Sequence, residues 1–120
     1  MGNWHSEIVD EFARIGEELG FSVVHREYRI MMGRIDQLWM VEDPVRMPLL
    51  AFEFESSAPS TQQIANIVKV LSLEPVEVPR FLIQVYRRKL PEDKLEYLQS
   101  VGRRLPVALL VIDDVGDDPR

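Results

Sequence analysis

The chain has 120 residues, 46% of them hydrophobic and 28% charged, which suits one globular domain with a usable core and leaves little room for a second. Its formal net charge of −6 argues against broad electrostatic attachment to nucleic acid or anionic lipid, since both need a basic surface. The absence of cysteine excludes disulfides, thiolate metal sites and cysteine nucleophiles, and no apolar run is long enough to cross a bilayer.

The opening segment MGNWHSEIVDEF lacks signal-peptide architecture, so a cytoplasmic protein with no membrane partner is expected. Trp4, Ile8, Phe12, Ile15 and Leu19 fall at helical spacing, with Glu7, Asp10, Arg14 and Glu17 outside that stripe. Asn3 or Ser6 can cap this helix and Gly20 can stop it. From Phe21 to Ser56 the period changes, and Ser22 to Ile30, Arg34 to Val41 and Pro48 to Glu55 read as strands. The breaks at Met32-Gly33 and at Glu42 to Arg46 are too short for a crossover helix of about a dozen residues. An antiparallel meander is therefore expected, which counts against a doubly wound nucleotide-binding fold.

After Pro59 the helical period returns in Ile64, Ile67, Val68 and Leu71, and Ser60 to Gln63 has capping-box spacing. Gln62, Asn66 and Lys69 form a polar stripe on that helix. Phe81 to Tyr86 reads as a buried strand, and the helix before it permits a right-handed parallel crossover. A further helix begins near Pro91, with Glu92 and Asp93 in its first turn and Arg103 and Arg104 in its last, both suited to the helix dipole. Gly102 and Pro106 bracket its end, and Val107 to Ile112 is a final apolar strand. The order α-β-β-β-α-β-α-β predicts an α/β fold on a mixed sheet, one domain over residues 1–116 and an acidic tail at 117–120. Asp113 to Arg120 reads as a frayed strand end running into that solvated tail.

On the third predicted strand, Leu49, Ala51, Glu53 and Glu55 share one face, and Leu50, Phe52 and Phe54 the other. Carboxylates at i and i+2 on a strand sit about 6 to 7 Å apart and repel unless a positive charge lies between them. Asp36, on the preceding strand, falls on a face with Leu38 and Met40. Enclosed carboxylates are costly unless paired, protonated or bound to metal, and ligation by oxygen alone suits Mg2+ or Mn2+. Alone, Glu53 and Glu55 fit a strand end emerging into solvent; with Asp36 added, a metal-type site is favoured.

Gly33-Arg34-Ile35-Asp36 and Glu53-Phe54-Glu55, in this element order, resemble the PD-(D/E)xK nuclease superfamily, whose α-β-β-β-α-β core would here be followed by one extra α-β unit. The resemblance spans roughly the first 86 residues. It implies a restriction-endonuclease-like domain in which Asp36 and Glu53 hold the metal, the Phe54 carbonyl is a further ligand and a helix-one glutamate, Glu11 before Glu7, completes the site. The usual motif lysine is replaced by Glu55, which would be a third ligand or the general base, as in some restriction endonucleases; Lys69 is a candidate substitute. The implied activity is hydrolysis of phosphodiester bonds of DNA or another nucleic acid by a homodimer. Arg34, Gln62, Asn66, Arg87, Arg88 and Lys89 are the candidate nucleic-acid contacts. The rival is a catalytically inactive nuclease-like domain serving as a binding or assembly module. His5 and His25 are separated and lack metal-ligand spacing, so both read as structural or exposed.

Overall fold

The computed structural model describes residues 3–24, 28–30, 33–56 and 78–116, with the backbone alone at 28–30, 33 and 34. Helix α1 covers Trp4–Glu18. Asn3 caps it, its side-chain oxygen accepting from the backbone N–H groups of His5 at 3.0 Å and Ser6 at 3.4 Å. At the other end Gly20, at φ 99°, donates to Glu17 O while Phe21 N–H donates to Gly16 O. This paired closure needs a left-handed residue, which glycine supplies without a Cβ penalty.

The buried face of α1 differs from the predicted stripe. Trp4, Ile8, Val9, Ala13 and Gly16 are buried, Phe12 is half-buried, and Ile15 and Leu19 are exposed. The cause is Gly16. A methyl group there would lie 2.7 Å from Trp39 Cε2 and 2.9 Å from Val23 Cγ2, so the bare backbone lets the helix settle on the sheet along the 9-13-16 line.

Seven described strands follow: β1 Ser22–Val24, β2 Tyr28–Ile30, β3 Gly33–Ile35, β4 Gln37–Val41, β5 Met47–Glu55, β6 Phe81–Tyr86 and β7 Ala108–Ile112. Helix α2, Glu92–Gly102, lies between β6 and β7. The main sheet has the order β1-β4-β5-β6-β7. Its first two ladders are antiparallel and its last two parallel, which makes a small α+β domain with a mixed sheet. The expected meander and the expected parallel fourth strand are both present. The second predicted strand is divided at Asp36, however, and the first contributes β1 to the main sheet and β2 to a separate two-stranded antiparallel sheet, where β2 pairs with β3 and Ile30 lies opposite Gly33. Between β4 and β5, Arg46 Nε lies 3.5 Å from Glu42 Oε2 across a turn that contains the cis Asp43–Pro44 bond. The predicted helix at 60–71, with its cap and polar stripe, lies outside the described residues.

Strand alternation on β5 divides the core as its sequence indicates. Phe52 and Phe54 pack with Trp4, Ile8, Val9 and Trp39 on the α1 side, whereas Ala51 packs with Ile35, Leu38, Met40 and Leu82 on the other. Buried Gln37 stitches α1 to the sheet: its Nε2 donates to Val9 O at 2.8 Å, and its Oε1 accepts from Trp39 Nε1 at 2.6 Å.

Helix α2 packs through Leu98 against Tyr86 and Leu90, with Leu95 and Val111 alongside. Arg103 and Arg104 fall just past its last residue rather than within its last turn, and Arg104 Nη1 donates to Ser100 Oγ. Strand β7 is an edge, and Ala108, Leu110 and Ile112 are exposed on it. Residues 113–116 are a packed strap, not the predicted frayed end. Asp113 Oδ2 accepts from Leu90 N–H at 2.7 Å, Val115 N–H donates to Tyr86 O at 3.3 Å, and Val115 O accepts from Trp4 Nε1 at 3.1 Å.

Candidate functional site

The C-terminal ends of the parallel strands β5 and β6 lie side by side, with Glu53 opposite Gln84 and Glu55 opposite Tyr86. Such strand ends are where open α/β sheets commonly bind ligands. Glu53 is 3% exposed and Glu55 half-buried. On the same face Gln84 is fully buried, its Oε1 accepts from Tyr86 O–H at 2.9 Å, and its Nε2 has no hydrogen-bond partner among the described residues.

Asp36 occupies a bend between β3 and β4 instead of the continuous strand predicted there. Its carboxylate is thereby released from the pleat that carries Leu38 and Met40. Asp36 Oδ2 instead accepts the backbone N–H of Phe54 at 2.9 Å. The aspartate is thus fastened to the residue between Glu53 and Glu55.

The α1 side chain that reaches this point is His5. Its Nε2 lies 3.3 Å from Asp36 Oδ2, and its ring meets Phe54 edge-on with centroids 6.1 Å apart. The hydrogen bond to Asp36 raises the His5 pKa above the ordinary 6.5; partial burial opposes this, and the charges of Asp36, Glu55 and Glu53 reinforce it. All three carboxylates therefore act on one imidazole. Sequence spacing gave no sign of His5, because its partner lies 31 residues away.

Glu11 is exposed, and along the helix it stands about 9 Å beyond His5 at 1.5 Å per residue. Glu7 is also exposed. Arg87 follows β6, donates its N–H to Glu55 O at 2.9 Å, and sets its guanidinium 5.9 Å from the centre of the Trp4 ring. Arg88 and Lys89 come next and are exposed, so this basic run shares its end of the sheet with the acids. Arg34 lies in β3 opposite Arg29, and its side chain is outside what is described. Gln62, Asn66 and Lys69 lie outside the described residues altogether.

Among the described residues, no three His, Asp or Glu side chains gather into a metal-holding set. Asp36, Glu53 and Glu55 thus share one end of the sheet without closing as a three-carboxylate cage. Asp36 and Glu53 nonetheless supply carboxylate oxygens, the donor chemistry that a hard divalent cation takes. Magnesium is commonly held by one or two carboxylates, with waters and substrate phosphate filling its remaining positions. Among the described residues both hydrogen bonds of Asp36 fall on Oδ2, and none is made by Oδ1, the oxygen that would ligate.

No family model, curated protein or solved structure matches the chain.

Proposed function

We propose that this chain is a restriction-endonuclease-like domain, acting as a homodimer, that hydrolyses phosphodiester bonds of nucleic acid, DNA foremost, with a divalent cation. The observation that carries this reading is the bond from Phe54 N–H to Asp36, which fastens the acid preceding β4 to the Glu53-Phe54-Glu55 run of β5. The sheet supports it, with two antiparallel ladders followed by a parallel one in the order that the α-β-β-β-α-β resemblance implies.

In this reading Asp36 and Glu53 hold the cation, with the Phe54 carbonyl as a further donor. Bound Mg2+ or Mn2+ would supply Lewis-acid polarisation of the scissile phosphate and a lowered pKa for its water. Glu55, two residues beyond Glu53 and half-buried, is the carboxylate that accepts the proton of the attacking water. It stands where the resemblance has lysine, so charge balance falls to the cation and to neighbouring basic groups. Arg88 and Lys89, exposed beside the acids, contact substrate phosphates.

The test is cleavage of single-stranded, duplex and branched DNA, and of RNA, with Mg2+ or Mn2+. Cleavage that disappears in Asp36→Asn and Glu53→Gln supports the proposal. No cleavage of any substrate, with no thermal stabilisation by either metal, contradicts it. One observation favours the inactive binding module as a second reading: Asp36 joins α1 to β5 through His5 and Phe54, a structural task that would outlast catalysis.

A further inference from the structure

We infer that His5 is a positioning residue of the cation site, taking the place on α1 that the resemblance assigns to Glu11. The inference rests on the function proposed above and concerns how Asp36 is aimed.

Two donors from separate elements meet at a single oxygen, Phe54 N–H at 2.9 Å and His5 Nε2 at 3.3 Å from Asp36 Oδ2. A carboxylate held from two directions at Oδ2 has little freedom to rotate, so Oδ1 keeps one direction. Groups that hydrogen-bond to a ligating carboxylate orient it, and losing one typically lowers metal affinity about 10- to 100-fold.

His5 is itself held in place. Asn3 accepts from its backbone N–H and fixes the first turn of α1, and the Phe54 ring supports the imidazole from the side. Trp4, its neighbour, is anchored through Nε1 to Val115 O. The ring is nevertheless about half exposed, so it stands at the rim of the site where a cation and its waters would enter. Glu11, more than a turn further along and exposed, has no comparable contact with Asp36 among the described residues. The Nε2–H donor, and not the charge of the ring, is what orients Asp36.

The test is Mn2+ affinity, measured from the free-ion signal in electron paramagnetic resonance, for wild type, His5→Ala, His5→Phe and His5→Gln. His5→Phe keeps an aromatic edge against Phe54 but has no donor, whereas the His5→Gln amide can reach the place of Nε2. We expect about tenfold weaker Mn2+ binding in the first two variants and near-wild-type binding in His5→Gln, with thermal unfolding of all three close to wild type. If His5→Ala fails to fold, the comparison of His5→Phe with His5→Gln decides alone. Equal Mn2+ affinity in wild type and the donor-lacking variants overturns the inference and leaves the proposed function standing. No Mn2+ binding by the wild type overturns both.

Discussion

Asp36 Oδ2 accepts the backbone N–H of Phe54 at 2.9 Å, a contact that joins the bend before β4 to the middle of the acidic run on β5. An interior strand N–H ordinarily bonds to a neighbouring backbone carbonyl. Here a side chain from the bend takes that role. The same bond therefore bears on stability and on the proposed chemistry, and substitutions at Asp36 separate the two.

Asp36→Ala removes the acceptor of a part-buried N–H and is expected to cost about 1–3 kcal/mol. Asp36→Asn keeps a carbonyl oxygen at that position and should retain most of the stability while losing cation affinity. Urea unfolding read beside Mn2+ binding checks both halves. Equal stability of the alanine and asparagine variants would deny the hydrogen bond its structural weight.

The imidazole of His5 should titrate above 6.5 in the folded protein, chiefly because of its bond to Asp36. A folded pKa raised above the unfolded value means that the pair's stabilisation is fully present below about pH 6.5 and is lost as pH climbs through the folded value. An NMR titration of the His5 ring protons in wild type and Asp36→Asn measures this. The midpoint should fall in the variant.

Gly16→Ala tests how closely α1 approaches the sheet. Alanine favours a helix interior over glycine by about 1 kcal/mol, whereas overpacking a fitted core costs about 1–3 kcal/mol. The clash should win. Trp39 is held by its bond to Gln37 and by the Phe21 and Phe52 rings, so it has little room to yield. Net destabilisation of about 1–2 kcal/mol in denaturant unfolding is expected.

If the basic run after β6 touches phosphates, Arg88→Ala with Lys89→Ala should weaken nucleic-acid binding to a similar extent for every sequence. The slope of log affinity against log salt should fall by about 2, near 0.9 for each lost contact. Fluorescence anisotropy across a salt series checks it. An unchanged slope would remove both residues from the interface.

Much of the fold was legible because it is written locally. Apolar Leu50, Phe52 and Phe54 alternate with Ala51, Glu53 and Glu55, and the short gaps between the first three predicted strands admit only antiparallel neighbours. The errors arose where distant residues decide. Ile15 and Leu19 carry a helical period but face outward, because Gly16 meets Trp39. Asp36 reads as a strand residue until the chain bends there. His5 finds Asp36 across 31 residues, and Val115 finds Trp4 across 111, inside a segment whose composition resembles a loose tail. The acids were visible as residue types; the partners that orient them were not.

The most direct measurement is a crystal structure of the protein soaked in Mn2+, with diffraction collected to reveal anomalous scattering. The account predicts one strong anomalous peak bounded by Asp36 Oδ1 and Glu53, with His5 and Phe54 N–H still on Asp36 Oδ2. No peak at that end of the sheet in a fully soaked crystal, or one held by residues elsewhere, would contradict it.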